Sequence, residues 1–168
     1  YGALSRISAG QPYSPGSPLD PALLSGCSVD EVMDAVVEAV RPIDGTQDTE
    51  ASQNAIRDAR SELLERFPDA DLLNLSKDQR LFVIEHYLSG DVFNRLCLDI
   101  GKAVRDKAPN YSVALSRFRQ IREYVRETIS ARFRALTVSG KNLSSQFIVR
   151  IGAHALREAF DVFEEFVK

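Results

Sequence analysis

Arg41-Pro42-Ile43-Asp44-Gly45-Thr46-Gln47-Asp48 is the stretch on which the fold of this chain turns. Pro42 disfavours helical geometry in the residue before it, Asp44-Gly45 supplies a turn, and Thr46 or Asp48 offers a side-chain oxygen to cap a new helix. The stretch is a helix stop followed at once by a helix start. Before it, Val29, Val32, Met33, Val36, Val37 and Val40 recur at helical spacing, and Ser28 with Glu31 forms a capping box that opens their helix. After it, Ala51, Ala55, Ala59, Leu63 and Phe67 form a stripe of small residues that widens toward its C-terminal end and suits close helix-helix approach.

The pattern continues outward from there. Pro68 and Asp69-Ala70-Asp71 end the helix, and Leu72, Leu73 and Leu75 are expected to plug the core from a short connector. Ser76 and Gln79 repeat the capping box and open a helix with Leu81, Phe82, Ile84, His86, Tyr87 and Leu88. Gly90 costs roughly 1 kcal/mol in a helix interior, yet Val92, Phe93, Leu96, Cys97, Ile100, Ala103 and Val104 resume the stripe without a loop. One long helix, kinked or nearly collinear in two parts, is expected to about Ala108. Pro109-Asn110 breaks it. Ser112 is expected to cap the next helix, with Leu115, Phe118, Ile121, Val125, Ile129, Phe133 and Leu136 on one face. A last helix from about Ser144 carries Phe147, Ile148, Ile151, Ala155, Ala159, Val162, Phe163 and Phe166. No alternating strand pattern or solenoid-length repeat appears.

The predicted fold class is therefore all-α, a compact bundle of about five or six helices over residues 28–168. Residues 1–27 read as an irregular N-terminal arm or linker, because Gly10-Gln11-Pro12-Tyr13-Ser14-Pro15-Gly16-Ser17-Pro18 lacks backbone donors at its three prolines and has little apolar surface to bury. The first residue, Tyr1, is read as the start of a piece of a longer protein. With 168 residues, of which 44% are hydrophobic, the chain is long enough for one domain with a sizeable core. No apolar run is long enough to span a bilayer and no signal-peptide pattern occurs, so a cytoplasmic protein is expected. Cys27 and Cys97 lack the spacing of a zinc site and are too few for a disulfide framework.

Charge divides along the chain. Residues 1–90 hold 15 Asp and Glu against 7 Lys and Arg, whereas residues 91–168 hold 9 against 14. Acidic and basic helices packing side by side account for that asymmetry more simply than a nucleic-acid surface does. Arg117, Arg119, Arg122, Arg126, Arg132 and Arg134 are dense, but on a helical wheel Arg122 and Arg132 fall on the edges of the apolar stripe, Arg119 and Arg126 just beyond one edge, and Arg117 and Arg134 elsewhere, a scatter unlike one phosphate track. Arg117, Arg119, Arg122 and Arg126 are the candidate anion- or partner-binding residues. Chemistry has no comparable foothold. His86 and His154 lack metal-ligand spacing, no serine sits in a nucleophile elbow, and Asp44-Gly45-Thr46 lacks the second glycine and lysine of a phosphate loop. No catalytic residue, cofactor or metal is expected.

Val29-Asp30-Glu31-Val32-Met33-Asp34-Ala35-Val36, Pro42 to Asp48, Leu75-Ser76-Lys77-Asp78-Gln79-Arg80 and Leu98-Asp99-Ile100-Gly101-Lys102, in this order and spacing, resemble the helical C-terminal region of the QatB family. The resemblance covers roughly residues 20–136. The family's Gly-rich N-terminus and basic low-complexity stretch are not visible here. The resemblance implies a non-catalytic component of a bacterial Qat anti-phage defence system. It would dock to a QueC-like enzyme as scaffold or as a substrate modified in its N-terminal region, with the system's ATPase and TatD-like nuclease as further partners. Pro42, Asp44, Gly45, Thr46, Asp48, Asp99 and Gly101 match the family's motifs, and Pro and Gly chemistry reads them first as helix punctuation and packing. The alternative is a nucleic-acid-binding module using the basic helix 112–136. Homo-oligomerisation through the last helix is a further expectation, since Phe160, Phe163 and Phe166 exceed what one core readily buries.

Overall fold

The computed structural model describes residues 47–72, 74–139 and 145–166, with side chains from 147 onward in the last stretch. These residues are all helical apart from turns. Helix α1 spans Gln47–Arg66, α2 Lys77–Asp106, α3 Tyr111–Ser139 and α4 Ser145–Phe163, and a 3-10 turn, Glu164–Phe166, follows α4. The all-α class read from periodicity holds, with four α-helices and no strand among the described residues. The predicted arm 1–27, the predicted helix before Pro42, and Pro42, Asp44, Gly45 and Thr46 themselves lie outside the described residues. The chain groups into two compact units, Tyr1–Tyr87 and Leu88–Lys168, and α2 runs from the first into the second.

In the first unit, the small-residue stripe of α1 does bury: Ala51, Ala55, Ala59 and Leu63 are all core residues. Phe67 donates its amide to Leu63 at 2.7 Å, and Pro68, which has no amide hydrogen, then stops the helix. A turn closes from Ala70 N–H to Phe67 carbonyl at 3.0 Å with Pro68 at its second position, where a fixed φ suits it. Leu72 and Leu75 are buried as expected of a connector that plugs the core; Leu73 lies outside the described residues. The capping box read from Ser76 and Gln79 forms in both directions. Gln79 N–H donates to Ser76 Oγ at 3.2 Å, and Ser76 N–H donates to Gln79 Oε1 at 2.8 Å. Arg80 adds a bond from its Nη1 to the Leu75 carbonyl at 2.8 Å, tying the connector to the helix it introduces.

In the second unit, α2 continues through Gly90 without interruption, and Leu88, Val92, Leu96, Ile100 and Val104 bury along one stripe. Its end tightens: Lys107 N–H reaches Ala103 at 2.9 Å, Ala108 N–H reaches Arg105 at 3.2 Å, and Pro109 forbids another turn. The next helix starts one cap earlier than the sequence suggests. Asn110, not Ser112, is the N-cap, because its Oδ1 accepts from Val113 N–H at 3.0 Å while its carbonyl accepts from Ala114 at 3.1 Å. That shift leaves Ser112 inside the first turn. On α3, Ile121, Val125, Ile129, Phe133 and Leu136 are buried as predicted, whereas Leu115 is 38% exposed and Ala114 takes the buried place.

Helix α4 packs along α3, and the 3-10 turn after it carries Phe166. Tyr124 meets Phe163 edge to face at 5.4 Å, the Phe163 and Phe166 rings lie tilted with centroids 5.2 Å apart, and the Arg117 guanidinium lies over the Phe166 ring at 4.9 Å. Gly152, Ala155 and Ala159 are buried small residues on α4. Gly152 is the tightest point. A Cβ there would stand 2.9 Å from Leu88 Cδ1 and 3.8 Å from Val92 Cγ2 on α2.

Replacing Gly152 by alanine sets two effects against each other: about 1 kcal/mol of helix propensity gained and about 1–3 kcal/mol of overpacking lost. The expected net change in denaturant unfolding is a loss of about 1 kcal/mol in the wild-type background. In a Leu88→Ala background, where the clashing methyl is gone, the same substitution becomes stabilising. An identical effect in both backgrounds would mean that Leu88 does not set the spacing.

Candidate interaction surface

At about 100° per residue, α4 presents a second apolar line beside its buried one. Val149, Ala153, Leu156 and Phe160 follow each other at spacings of four, three and four residues. That is the spacing of a helix seam that takes a partner's side chains between its own. Val149 is 68% exposed, Phe160 41%, Ala153 is exposed and Leu156 half-buried. Arg150 and Arg157, both exposed, follow the seam along one edge. Four apolar side chains in register on one helix, with a cationic margin, form a surface suited to an apolar partner face with acidic residues on the matching side. Val162, predicted for the core, is 46% exposed although it shares the face of Ala155 at i+7; it lies at the end of α4, one residue before the helix stops.

The arginines singled out on α3 divide between two environments. Arg117 covers Phe166, and the Arg122 guanidinium lies 4.6 Å from the centroid of Phe93 on α2. Both cap aromatic rings, which accounts for part of the density without invoking phosphate. Arg119 and Arg126 are exposed, one helical step from Arg122 on either side. Of the family-motif residues within the described region, Asp48 is exposed in the first turn of α1, where a negative charge favours the helix dipole. Asp99 is exposed on α2, and Gly101 is buried, with Cys97, Arg105 and Phe118 at ordinary contact distance from where its Cβ would stand.

The titratable groups form two small clusters. In the first unit, His86 stacks on Phe82 at 4.0 Å and its Nδ1 pairs with Glu62, while Phe82 meets Phe67 edge to face at 5.7 Å. In the second unit, Arg132 of α3 donates to Glu158 of α4 at 3.1 Å and lies 2.9 Å from His154 Nδ1, which is itself 3.1 Å from Glu158. One ring nitrogen cannot accept from Arg132 and donate to Glu158 at once. The neutral ring accepts from Arg132, and the protonated ring donates to Glu158. Desolvation opposes ionisation of Glu158, but hydrogen bonds from Arg132 and His154 and their positive charge outweigh it and hold its carboxyl below the usual range. Cys97 behaves oppositely: burial pushes its thiol up to about 11, and the nearby charges of Arg122 and Arg105 only partly counter this. Among the described residues no group of His, Cys, Asp and Glu could hold a metal ion, and no helix is long and apolar enough to cross a membrane.

Sequence reasoning found the arginine-rich helix and the surplus of phenylalanines on α4 but missed the seam. The signal was present in the 4-3-4 spacing from Val149 to Phe160, which becomes visible once a helix is allowed two apolar lines. Residues 1–163 match the family model described as "Qat anti-phage system associated protein QatB". No curated protein and no solved structure matches the chain.

Because its folded carboxyl titrates lower than an unfolded one, Glu158 contributes stability that is present above the ordinary carboxylate range and lost as pH falls through its lowered value. The wild type is expected to melt above Glu158→Gln at neutral pH, with the gap closing below about pH 4. A gap that persists unchanged at lower pH would assign the effect to packing. Cys97 is expected to react roughly a hundred-fold more slowly with a thiol reagent at pH 8 than an unhindered thiol, from its thiolate fraction alone. Alkylation of a Cys27→Ser variant, native against unfolded in denaturant, measures this directly, and equal rates would contradict the burial.

Proposed function

The chain belongs to the QatB family of Qat anti-phage system associated proteins, and from that premise we propose that it is a non-catalytic interaction subunit of the defence complex. Membership gives it a role in Qat anti-phage defence; the finer reading concerns how it takes part. The helical body docks to the QueC-like enzyme of the same system in the cytoplasm, and the N-terminal region is the segment presented to that enzyme for modification. The observation that carries this reading is the exposed apolar seam Val149, Ala153, Leu156 and Phe160 on α4. An apolar line of this kind, beside a line that is already buried, gains free energy by meeting another surface. The system's ATPase and TatD-like nuclease join through the enzyme or the seam's flanks.

A nucleic-acid-binding module based on helix 112–136 finds less support. With Arg117 and Arg122 laid over rings, Arg119 and Arg126 are the members of the candidate set that face solvent without such a contact. Two exposed arginines supply a shallow salt dependence at most.

Co-expression of the chain with the QueC-like subunit, followed by size-exclusion chromatography with light scattering, tests the proposal. A complex that persists at about 0.5 M salt is expected, since an apolar contact is not screened. The double substitution Val149→Asp and Phe160→Asp, checked for unchanged helical circular dichroism, is expected to weaken the complex by about 100-fold or more. Arg119→Glu with Arg126→Glu is expected to leave it intact. Loss of the complex in the arginine variant but not in the seam variant would move the docking face to α3, and separate elution of the wild-type proteins would remove direct docking altogether.

A further inference from the structure

Between the C-terminal part of α3 and the N-terminal part of α4 the two helices leave a groove of about 440 Å³, within the size range of small-molecule sites. Its floor is apolar: Leu136 and Ile151 are buried and the Phe147 ring is half-buried. Among the described residues its polar lining comes from Arg132, Ser139, Arg150 and His154, with no carboxylate. The Arg150 guanidinium lies over the Phe147 ring at 5.6 Å from the centroid, so charge and aromatic surface meet on one wall. Arg150 has no carboxylate partner among the described residues. On the other wall, Glu158 and His154 hold Arg132 by its Nη2, while the Arg132 Nε is buried without a hydrogen-bond partner.

Two arginines lining an apolar, ring-bearing floor, one of them without a carboxylate partner among the described residues, suit a ligand with two halves. We propose that the α3–α4 groove binds a small aromatic oxyanion, a flat apolar body carrying one carboxylate, sulfonate or phosphate. The acid group sits between Arg132 and Arg150, and the apolar body lies against Phe147, Leu136 and Ile151. Neither half suffices alone: a bare oxyanion leaves the floor wet, and a neutral aromatic leaves the charge of Arg150 without a counter-ion. The site shares Arg150 with the cationic margin of the seam on α4, but the seam's anchors Val149 and Phe160 do not line the groove.

The full chain titrated with the fluorescent aromatic sulfonate 8-anilinonaphthalene-1-sulfonate tests this, with circular dichroism confirming that each variant is folded. One saturable site per chain is expected. Arg150→Gln should weaken it at least about tenfold, the loss of one charge-assisted contact. Ala135→Trp, which fills the groove from α3 and removes no charge, should abolish it. The uncharged analogue N-phenyl-1-naphthylamine should bind at least about tenfold more weakly than the sulfonate, for the same reason. Val149→Asp with Phe160→Asp should leave the sulfonate's affinity unchanged, which separates this site from the docking seam. Affinity insensitive to both Arg150→Gln and Ala135→Trp, equal binding of the neutral analogue, or full displacement by inorganic phosphate alone would each overturn the proposal.

Discussion

In the second unit the approach of α4 to Leu88 and Val92 at Gly152 sets what every other face of that helix can do. A side chain at this point would meet Leu88 Cδ1 at 2.9 Å, so glycine allows the helices to close and alanine does not without displacement. Closing there fixes the rotation of α4 about its axis. Its α3-facing line then carries Ile151, His154 and Glu158, and its outward line carries Val149, Ala153 and Phe160. The ionic cluster with Arg132, the aromatic contact of Phe163 with Tyr124 and the exposed seam are consequences of one rotational setting. A helix packed a few tens of degrees away would trade one of these faces for another.

Much of the fold was legible in the sequence because it rests on local rules. The capping box at Ser76 and Gln79, the stop at Pro68 and the stripe from Ile121 to Leu136 depend on residues within a turn or two of each other, and all of them formed. Where sequence reasoning slipped, a neighbour with a better side chain prevailed. Asn110 reaches the amide of Val113 with its own oxygen and displaces Ser112 as cap. Leu115 gave way to Ala114 for a different reason: Ala114 stands seven residues before Ile121 and so falls on the buried stripe, which Leu115 misses by about 100°.

The surface was less legible, and the reason is distance along the chain. Nothing local to Arg122 announces Phe93, nor does anything near Arg117 announce Phe166. Both rings come from other elements, and only the packing of those elements turns an apparent basic patch into a set of ring caps. The groove between α3 and α4 has the same origin, since its lining depends on the register between two helices and not on any motif. The seam on α4 lies between these cases. It is periodic, and so local, but a single helix wheel read for one core face passes over a second line.

On the proposed reading, a seam that a partner covers is bare whenever that partner is scarce. The Val149 to Phe160 line would then be open to other unpaired chains and to the chaperones and proteases that survey for such surfaces. The amount of such a subunit that a cell can hold would follow the supply of whatever covers α4, which makes dosage a property of one helix face.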